Sequence, residues 1–356
     1  MGERWPHGGL DEQELRGFGL DPAAVLDFSS NVNPLGASPL AVEAARTAEL
    51  SRYPDPRCRA LKATLAERLG VAPENVAVGN GSTELVHLVV RVLARIGGRP
   101  VVFAPTFSEF ERACAAVGLR PFAWQAQEER GFRWSLANKP QVLRRERPLA
   151  VYLCNPNNPT GVYLSERDVR GLAEASLGGP LLLDEAYRPF VDEPWESVPL
   201  IHGGRVACLR SLTKDLGIPA LRIGYLVAEA GLVQAVESLQ PTWSVSGVAQ
   251  AAAQAGIADE EHLAAARQAV RAGKRVLVAG LGALGLQVQE GAANFIMVRV
   301  GDAAAVRRAL LQQGCLVRDC SSFGLPAWVR IAVRRPDESE LLVRALAGIG
   351  EVTCGG

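Results

Sequence analysis

Apolar residues in the middle of the chain form short uninterrupted runs that alternate with amphipathic segments. The runs have the length and composition of buried strands and lie at residues 76–78, 101–104, 149–154, 181–183, 206–209 and 223–227. Helical periodicity lies between or after them, near residues 83–96, 107–117, 165–176 and 229–239. This alternation is typical of an α/β fold in which a mostly parallel sheet is covered on both faces.

The pattern differs on the N-terminal side of this region. Residues 1–30, which have Pro6 near their start, predict an arm rather than a core element. Helices are predicted near 38–50 and 57–69, the first with Ser38 as its cap. The large domain is therefore expected to begin at residue 31 and to extend to residue 243.

Beyond residue 243 the pattern predicts a smaller C-terminal α/β domain over 244–356. An alanine-rich helical segment covers 246–283 and is broken once near 258–259. Strand candidates follow at 286–290, 295–300, 315–318 and 328–333. Helices near 302–313 and 337–348 separate or follow these strands.

Composition excludes several classes of function. The 356 residues carry 38 basic and 38 acidic side chains, so no charge bias points to nucleic acid or to a membrane surface. The seven cysteines are scattered and include no CxxC pair, which predicts reduced thiols in a cytoplasmic protein. No histidine cluster accompanies them, so we expect no metal site.

The candidate chemistry is centred on one lysine. The strand at 206–209 leads to two hydroxyl residues, Ser211 and Thr213, and then to Lys214, with Arg222 eight residues later. A lysine beside hydroxyls and an arginine suits an amine that forms a Schiff base next to a bound phosphate. Taken alone, the stretch better fits a solvated lysine in a turn, and the other stretches described next favour the cofactor site.

Two further strands end in polar residues. Asp184 ends the strand at 181–183, where a buried carboxylate needs a positive partner such as a pyridinium nitrogen, and Tyr187 follows it. The run Asn155 to Gly161, which includes Asn157, is a dense cluster of turn formers after another strand. A plain helix cap or a salt bridge would also explain Asp184.

An anion site is predicted at the strand that ends at residue 78. Gly81, Ser82 and Thr83 follow it and begin a helix, whose free N–H groups can bind a phosphate. Phe107 comes after the next strand and can stack on a flat ring. A helix cap and a core aromatic are the plain alternatives for these residues.

These residues occur in a fixed order along the chain, and with them the sequence resembles the fold-type I pyridoxal-phosphate enzymes of aminotransferase class I/II. The resemblance covers nearly the whole chain. The resemblance implies a large domain with a mostly parallel seven-stranded sheet, a smaller domain, and a homodimer with shared active sites. It implies that Lys214 is the Schiff-base lysine, that Asp184 pairs with the pyridine nitrogen and that Phe107 stacks on the ring. The further cofactor contacts that it implies are Asn157 and Tyr187 at O3′, Gly81, Ser82, Thr83, Ser211, Thr213 and Arg222 at the phosphate, and Tyr53 at the phosphate of the neighbouring subunit.

The family also places an arginine at the substrate carboxylate. Arg330 stands at that position, within an apolar strand where an arginine is costly unless it binds an anion. Arg334 falls on the same face if the strand continues, and Arg318 lies nearby in the sequence. These two are candidates for a second anionic group on the substrate, with a solvated strand end as the equal alternative.

Two subfamilies fit these residues. The run His7-Gly8-Gly9 and the run from Asp27 to Gly36, which includes Asn31, resemble the L-threonine-O-3-phosphate decarboxylases of cobalamin biosynthesis. His7, Gly8, Asn31, Gly36 and Asn157 are then expected to contact the substrate together with the arginines. Histidinol-phosphate aminotransferases share the cofactor residues and are the alternative.

The cofactor residues alone do not decide the reaction. Decarboxylation requires the Cα–carboxylate bond to stand perpendicular to the ring, and transamination requires the Cα–H bond to do so. The choice lies in how Arg330, the arm and the phosphate contacts rotate the substrate. A non-enzymatic regulator with this fold would carry an added DNA-binding domain, for which the sequence has no basic helix-turn-helix segment.

Overall fold

The computed structural model describes residues 8–349, so His7 lies outside the described residues. Strands numbered along the chain are β1 Leu26–Asp27, β2 Val76–Asn80, β3 Val101–Ala104, β4 Phe122–Gln125, β5 Val151–Cys154, β6 Leu181–Asp184, β7 Val206–Ser211, β8 Ile223–Val227, β9 Gln287–Gln289, β10 Phe295–Arg299, β11 Cys315–Leu316, β12 Arg318–Asp319 and β13 Trp328–Ala332. Each apolar run of the alternating region is a strand.

The helices cover the sheet and the smaller domain. They are α1 Glu12–Gly17, α2 Pro39–Arg46, α3 Arg59–Leu69, α4 Gly81–Leu93, α5 Glu109–Ala116, α6 Lys139–Glu146, α7 Glu166–Ala175, α8 Ala230–Leu239, α9 Gly247–Gly256, α10 Glu260–Ala283, α11 Ala303–Gln312 and α12 Pro336–Ala347. The Ser38 hydroxyl accepts from Ala41 N at 3.3 Å and so caps α2.

Seven strands form the central sheet in the order β2-β8-β7-β6-β5-β3-β4. Only β8 runs antiparallel to its neighbours β2 and β7, so the sheet is mostly parallel, as the sequence predicts. Both faces are covered: Val76 and Val78 of β2 pack in one hydrophobic cluster and Ala77 in the other. This explains why the strands read as uninterrupted apolar runs rather than as alternating ones.

The direction of the strands brings their polar ends together. The carboxyl ends of β2, β3, β5, β6 and β7 meet at one edge of the sheet, and β8 begins there. The predicted chemical residues stand directly after these ends. Segments that lie more than a hundred residues apart in sequence therefore converge on one place, at the edge where α/β sheets bind ligands.

The smaller domain contains a four-stranded antiparallel sheet in the order β12-β13-β10-β9. Its hydrophobic cluster includes Val270 of α10, Val298 of β10 and Leu342 of α12. In β13, Arg330 pairs with Met297 of β10 on one side and with Arg318 of β12 on the other. The smaller domain thus carries two of the predicted arginines on neighbouring strands.

Residues 8–30, which were expected to form an arm, attach to the smaller domain. Leu15 of α1 and Val25 pack with Leu311 and Leu316, and β1 pairs in parallel with β11. Leu15 and Val25 are only 1% and 8% exposed, and the burial of their apolar side chains explains this attachment. The sequence did not predict this packing, because the segment has too few apolar residues to show the periodicity of a helix or a strand.

Three other features differ from the sequence prediction. The edge strand β4 and the helix α6 were not predicted; β4 is only half-buried and has no uninterrupted apolar run. The helix α9 follows residue 243 in the chain, yet Ala249, Ala252 and Ala253 pack in the cluster below the central sheet. Within residues 8–349, no helix combines the length and apolar character needed to cross a membrane.

Close approach of β8 to the start of α4 yields a test of the fold. A Cβ added at Gly224 would lie 2.6 Å from Ser82 N and 2.9 Å from Arg210 O. We expect Gly224→Ala to lower the free energy of unfolding by about 1–3 kcal/mol, the usual cost of overpacking. Gly231→Ala in α8 is the control, because its Cβ would meet nothing within 4 Å. Equal urea-denaturation midpoints for the two variants would contradict the predicted crowding.

Candidate active site

A cavity lies at the polar edge of the central sheet. It is lined by Gly81, Ser82, Thr83, Phe107, Cys154, Asn158, Asp184, Ala186, Tyr187, Ser211, Thr213, Lys214 and Arg222. A wider opening continues from it toward the smaller domain and adds residues that include Gly8, Ser29, Asn31, Arg318 and Arg330. The structure therefore brings most of the predicted residues together in one site.

Asp184 is buried at the end of β6, with 3% of its surface exposed. Tyr152 Oη donates to Asp184 Oδ2 at 2.6 Å, and Ala186 N donates to Oδ1 at 3.0 Å. Burial raises the pKa of the Asp184 carboxyl, while the hydrogen bonds from Tyr152 and Ala186 act in the opposite direction. A buried carboxylate with these partners is suited to accept a further hydrogen bond from a cationic ring.

Lys214 follows the end of β7 and faces the same cavity. Burial, together with the cations of Arg330 and Arg222, lowers the pKa of its amine to about 8, while the charge of Asp184 acts in the opposite direction. A larger fraction of the amine is therefore neutral near pH 7 than for an ordinary lysine. Ser211 and Thr213 lie in the turn before it, with their hydroxyl oxygens 2.7 Å apart.

The first turn of α4 forms the opposite wall. Gly81 has a φ of +74°, a conformation that favours glycine, and a Cβ there would lie 2.8 Å from Arg222 Nη2, so the arginine packs closely on the turn. Ser82 and Thr83 place hydroxyls beside the free N–H groups of the helix start. Together with Arg222 this wall has the donors and the charge of a phosphate site.

The asparagine turn after β5 places a different residue in the cavity from the one predicted. The Asn157 amide is enclosed by protein: Nδ2 donates to Pro105 O and to Thr160 Oγ1, and Oδ1 accepts from Thr106 Oγ1. Its neighbour Asn158 lines the cavity instead. Asn157 therefore stabilises the turn, and Asn158 is the residue positioned to meet a ligand.

Tyr187 and Phe107 line the cavity where they were expected. Burial raises the pKa of the Tyr187 phenol to about 12, and Asn31 Nδ2 donates to its oxygen at 3.3 Å. The Tyr187 ring also packs edge-on against Phe295, with 5.0 Å between the ring centres. The phenol is thus neutral at physiological pH and is held in place from the smaller domain and from residue 31.

Arg330 extends from β13 into the cavity and is 5% exposed. Its Nη1 donates to Asn158 Oδ1, its Nη2 donates to Ser29 O at 2.6 Å, and its guanidinium lies 5.4 Å from the centre of the Phe295 ring. Its Nε has no hydrogen-bond partner among residues 8–349. A buried guanidinium held at two points offers a fixed donor site to an anion such as a carboxylate.

Arg318 stands directly opposite Arg330 in the neighbouring strand. It is 8% exposed, donates to Ser322 Oγ at 2.6 Å and lies 5.6 Å from the centre of the Phe323 ring. Burial lowers the pKa of Arg318 to about 10, and the charge of Arg330 adds to this effect. Like charges opposite each other in a sheet are unfavourable, so the pair favours an anionic ligand.

Besides Asn157, three residues predicted for the site do not line this chain's own cavity, although Tyr53 was expected at the site of a neighbouring subunit. Arg334 lies beyond the end of β13, donates to Glu338 Oε1 at 2.8 Å and is not among the lining residues. Gly36 is exposed. Tyr53 is 80% exposed and stacks on Trp243, with ring centres 4.4 Å apart. Arg334 departs from the prediction because the strand ends at Ala332 and the alternation no longer applies.

Sequence reasoning missed three residues with direct roles in the geometry: Tyr152, Asn158 and Ser29. The signal for Tyr152 was present, because it is two residues from Cys154, which pairs with Asp184 in the parallel register. Residues two apart share a face, so Tyr152 points to the same side as Asp184. No periodic signal distinguishes Asn158 from Asn157 in a turn, and Ser29 acts through its main-chain carbonyl.

Comparison with known proteins agrees with this geometry. Residues 23–346 match the family model described as aminotransferase class I and II. The chain belongs to the aminotransferase class I and II family. It is 35% identical over 341 residues to histidinol-phosphate aminotransferase 1 of Cupriavidus pinatubonensis, covering 93% of this chain and 90% of that protein.

Two solved structures of this fold are also similar. Histidinol-phosphate aminotransferase from Sinorhizobium meliloti, in complex with pyridoxal-5′-phosphate, has a TM-score of 0.84 and 27% identity, with 95% of this chain and 94% of that chain covered. L-threonine-O-3-phosphate decarboxylase from Porphyromonas gingivalis has a TM-score of 0.78 and 27% identity, with 90% and 98% covered. Histidinol-phosphate aminotransferase is the more frequent name among the similar proteins.

The cofactor of an aminotransferase class I and II enzyme is pyridoxal phosphate, and the residues present fit it. The buried carboxylate of Asp184 suits a protonated ring nitrogen, and the depressed pKa of Lys214 suits reaction with an aldehyde. The turn at Gly81 has no space for a Cβ beside Arg222, as expected where backbone N–H groups approach a phosphate. Phe107 lines the cavity beside these groups.

The pKa of Lys214 can be tested in the cofactor-free enzyme. The neutral amine attacks the aldehyde, so the rate of pyridoxal-phosphate uptake should rise with pH and reach half its maximum near pH 8. Arg330→Gln removes a cation that lowers this pKa, so its profile should shift to higher pH. Arg334→Gln makes the same charge change away from the cavity and should leave the profile in place. Identical profiles for Arg330→Gln and the unaltered enzyme would contradict the assignment.

Proposed function

We propose that this enzyme decarboxylates L-threonine O-3-phosphate to (R)-1-aminopropan-2-yl phosphate and CO2, a step of cobalamin biosynthesis. The observation that carries the proposal is the position of the N-terminal motifs. Gly8, Ser29 and Asn31 come from the two runs that resemble the decarboxylases, and they line the same opening as Arg318 and Arg330. Resemblance in sequence and placement at the site thus coincide.

Each side chain of the cavity has a separate role in the proposed reaction. Pyridoxal phosphate, when bound, supplies a ring that withdraws the electron pair of a bond broken at Cα. Asp184 would keep the ring nitrogen protonated, and Phe107 would pack on the ring. Lys214, with its depressed pKa, is the group that returns a proton to Cα after CO2 has left. The carboxylate carbon leaves as CO2, and one proton takes its place.

Two arginines account for the two anionic groups of the substrate. Arg330 binds the α-carboxylate, since its guanidinium is fixed by Asn158 and Ser29 and its Nε has no other hydrogen-bond partner among residues 8–349. Arg318, on the neighbouring strand, binds the phosphate together with the hydroxyl of Ser322. Their separation across one strand pair sets the angle of the substrate about its Cα–N bond. That angle decides which bond at Cα is broken.

Histidinol-phosphate aminotransferase is the second candidate, and the similarity to the Cupriavidus pinatubonensis protein favours it. Its amine substrate also carries a phosphate, so Arg318 would serve both reactions. The cofactor residues serve both reactions equally. The two candidates differ in whether an α-carboxylate is lost and in whether a keto acid is consumed.

We also propose a homodimer with shared active sites. Tyr53 is 80% exposed and stacks on Trp243 at the surface of this chain, away from its own cavity. Burying this aromatic pair against a second copy would remove apolar surface from water and bring the Tyr53 hydroxyl to the cofactor phosphate of that copy.

Product analysis separates the two reactions. The purified enzyme with pyridoxal phosphate should release CO2 from L-threonine O-3-phosphate without any keto acid, and Lys214→Ala should abolish the release. Serine phosphate lacks one methyl group, so its kcat/KM should be lower than that of threonine phosphate by an amount equal to only about 1–3 kcal/mol. A requirement for 2-oxoglutarate, or conversion of histidinol phosphate in place of threonine phosphate, would refute the decarboxylase assignment.

The role of Arg318 predicts a selective loss. Arg318→Gln should raise the KM for threonine phosphate by about 10-fold to 100-fold, because a charge-assisted contact to phosphate contributes about 1.5–3 kcal/mol. Binding of unphosphorylated L-threonine, measured by the cofactor absorbance, should change little. Arg334→Gln is the matched control and should leave both quantities unchanged. An equal loss for threonine and its phosphate would exclude Arg318 as the phosphate ligand.

A further inference from the structure

Residues 26–30 run from the smaller domain to the rim of the cavity and are fixed on both sides. Phe28 N donates to Leu316 O at 2.7 Å, and Ala332 N donates to Phe28 O at 2.8 Å. The Phe28 side chain is fully buried. This stretch is therefore tied to β11 on one side and to the end of β13, the strand of Arg330, on the other.

The carboxylate of Asp27 shapes this stretch. Asp27 Oδ1 accepts from Ser29 N at 2.8 Å, from Ser29 Oγ at 2.6 Å and from Ser30 N at 3.2 Å. An aspartate that accepts from the main chain two residues later is a recurrent turn device. Here the hydroxyl of Ser29 is included as well, so one oxygen atom fixes both the backbone and the side chain of Ser29.

Ser29 in turn holds two elements of the site. Its main-chain carbonyl accepts from Arg330 Nη2 at 2.6 Å, and its hydroxyl oxygen accepts from Gly9 N at 2.8 Å. A Cβ added at Gly8 would lie 2.2 Å from Ser29 O and 3.4 Å from Arg330 Nη2. The glycine segment, the serine carbonyl and the guanidinium are thus packed directly together, and Asp27 is the group that sets the turn beneath them.

We propose that Asp27 is a positioning residue for the substrate α-carboxylate, acting through Ser29 on Arg330. This inference deepens the proposed function and rests on it. Arg330 has two anchors: Asn158 at Nη1, from the large domain, and Ser29 at Nη2. Recognition of a carboxylate by a planar guanidinium depends on the orientation of that plane. Without Asp27, the Ser29 carbonyl is no longer directed at Nη2, and the plane is held at one point only.

The inference distinguishes ligands that carry the α-carboxylate from those that lack it. L-threonine O-3-phosphate has this group, and the amine product of its decarboxylation does not. Loss of Asp27 should therefore weaken the binding of threonine phosphate and leave the binding of the amine product unchanged. A general loss of folding or of cofactor binding would affect both ligands equally.

The experiment measures dissociation constants of the two ligands from the shift of the cofactor absorbance in the enzyme loaded with pyridoxal phosphate. Asp27→Ala should raise the dissociation constant of threonine phosphate by about 10-fold, equal to about 1.4 kcal/mol. The dissociation constant of the amine product should stay within about 2-fold of its value in the unaltered enzyme. Asp27→Asn keeps an acceptor oxygen and should recover part of the loss. Asp21→Ala is the matched control, since Asp21 makes the same kind of contact, to Ala23 N at 2.9 Å, at an exposed turn.

Steady-state kinetics provide a second readout. Asp27→Ala should raise the KM for threonine phosphate. With 2-oxoglutarate added as the acceptor of the amino group, the variant should also form more keto product and glutamate per CO2, because a loosened carboxylate lets the Cα–H bond reach the perpendicular position. The proposal is overturned if Asp27→Ala binds both ligands equally more weakly, or if it binds both as tightly as the unaltered enzyme does. If Asp27→Ala fails to retain the cofactor, Asp27→Asn decides: a loss confined to threonine phosphate supports the role, and no loss refutes it.

Failure of the proposed function is recognisable separately. If the unaltered enzyme releases no CO2 from threonine phosphate, the decarboxylase assignment fails. The role of Asp27 is then tested with L-glutamate and 4-aminobutyrate, which differ by the α-carboxylate. Weaker binding of glutamate alone in Asp27→Ala upholds the positioning role, and equal binding of both amino acids refutes it.

Discussion

Lys214 lies between cations and a single carboxylate, and its depressed pKa is the property on which the rest of the site depends. Burial supplies the largest effect, Arg330 and Arg222 add to it, and Asp184 opposes it. These groups come from β13, from the turn before β8 and from the end of β6. The central sheet brings Asp184 and Arg222 to one edge beside the amine, and the smaller domain adds Arg330 from β13.

Two buried arginines face each other at the opening of the site. Arg318 and Arg330 are buried on neighbouring strands, and the charge of each makes the other less favourable. Burying such charges costs free energy unless anions neutralise them. An anionic ligand that binds beside the two guanidiniums lowers this electrostatic cost. The substrate proposed above, which has a carboxylate and a phosphate, has the charge that suits this strand pair.

The sequence predicted the sheet and most of the cavity because those features depend on local patterns. An uninterrupted apolar run that ends in a polar residue identifies the strands of Asp184 and Lys214, and a glycine before a helix identifies Gly81. Features that depend on contacts distant in sequence were not predicted. Leu15 and Val25 pack against Leu311 and Leu316, which are distant in sequence, so nothing local revealed that residues 8–30 attach to the smaller domain.

The asparagine turn shows a second kind of limit. Asn157 and Asn158 are equivalent as turn formers, and only the packing of Thr106, Pro105 and Thr160 around Asn157 turns its neighbour toward the ligand. That small difference matters for the reaction, because Asn158 is one of the two anchors of Arg330 and Ser29 is the other. One anchor belongs to the large domain and one to the N-terminal segment. The orientation of the guanidinium is thus set by how these parts meet, and the proposed choice between decarboxylation and transamination depends on that orientation rather than on the cofactor residues.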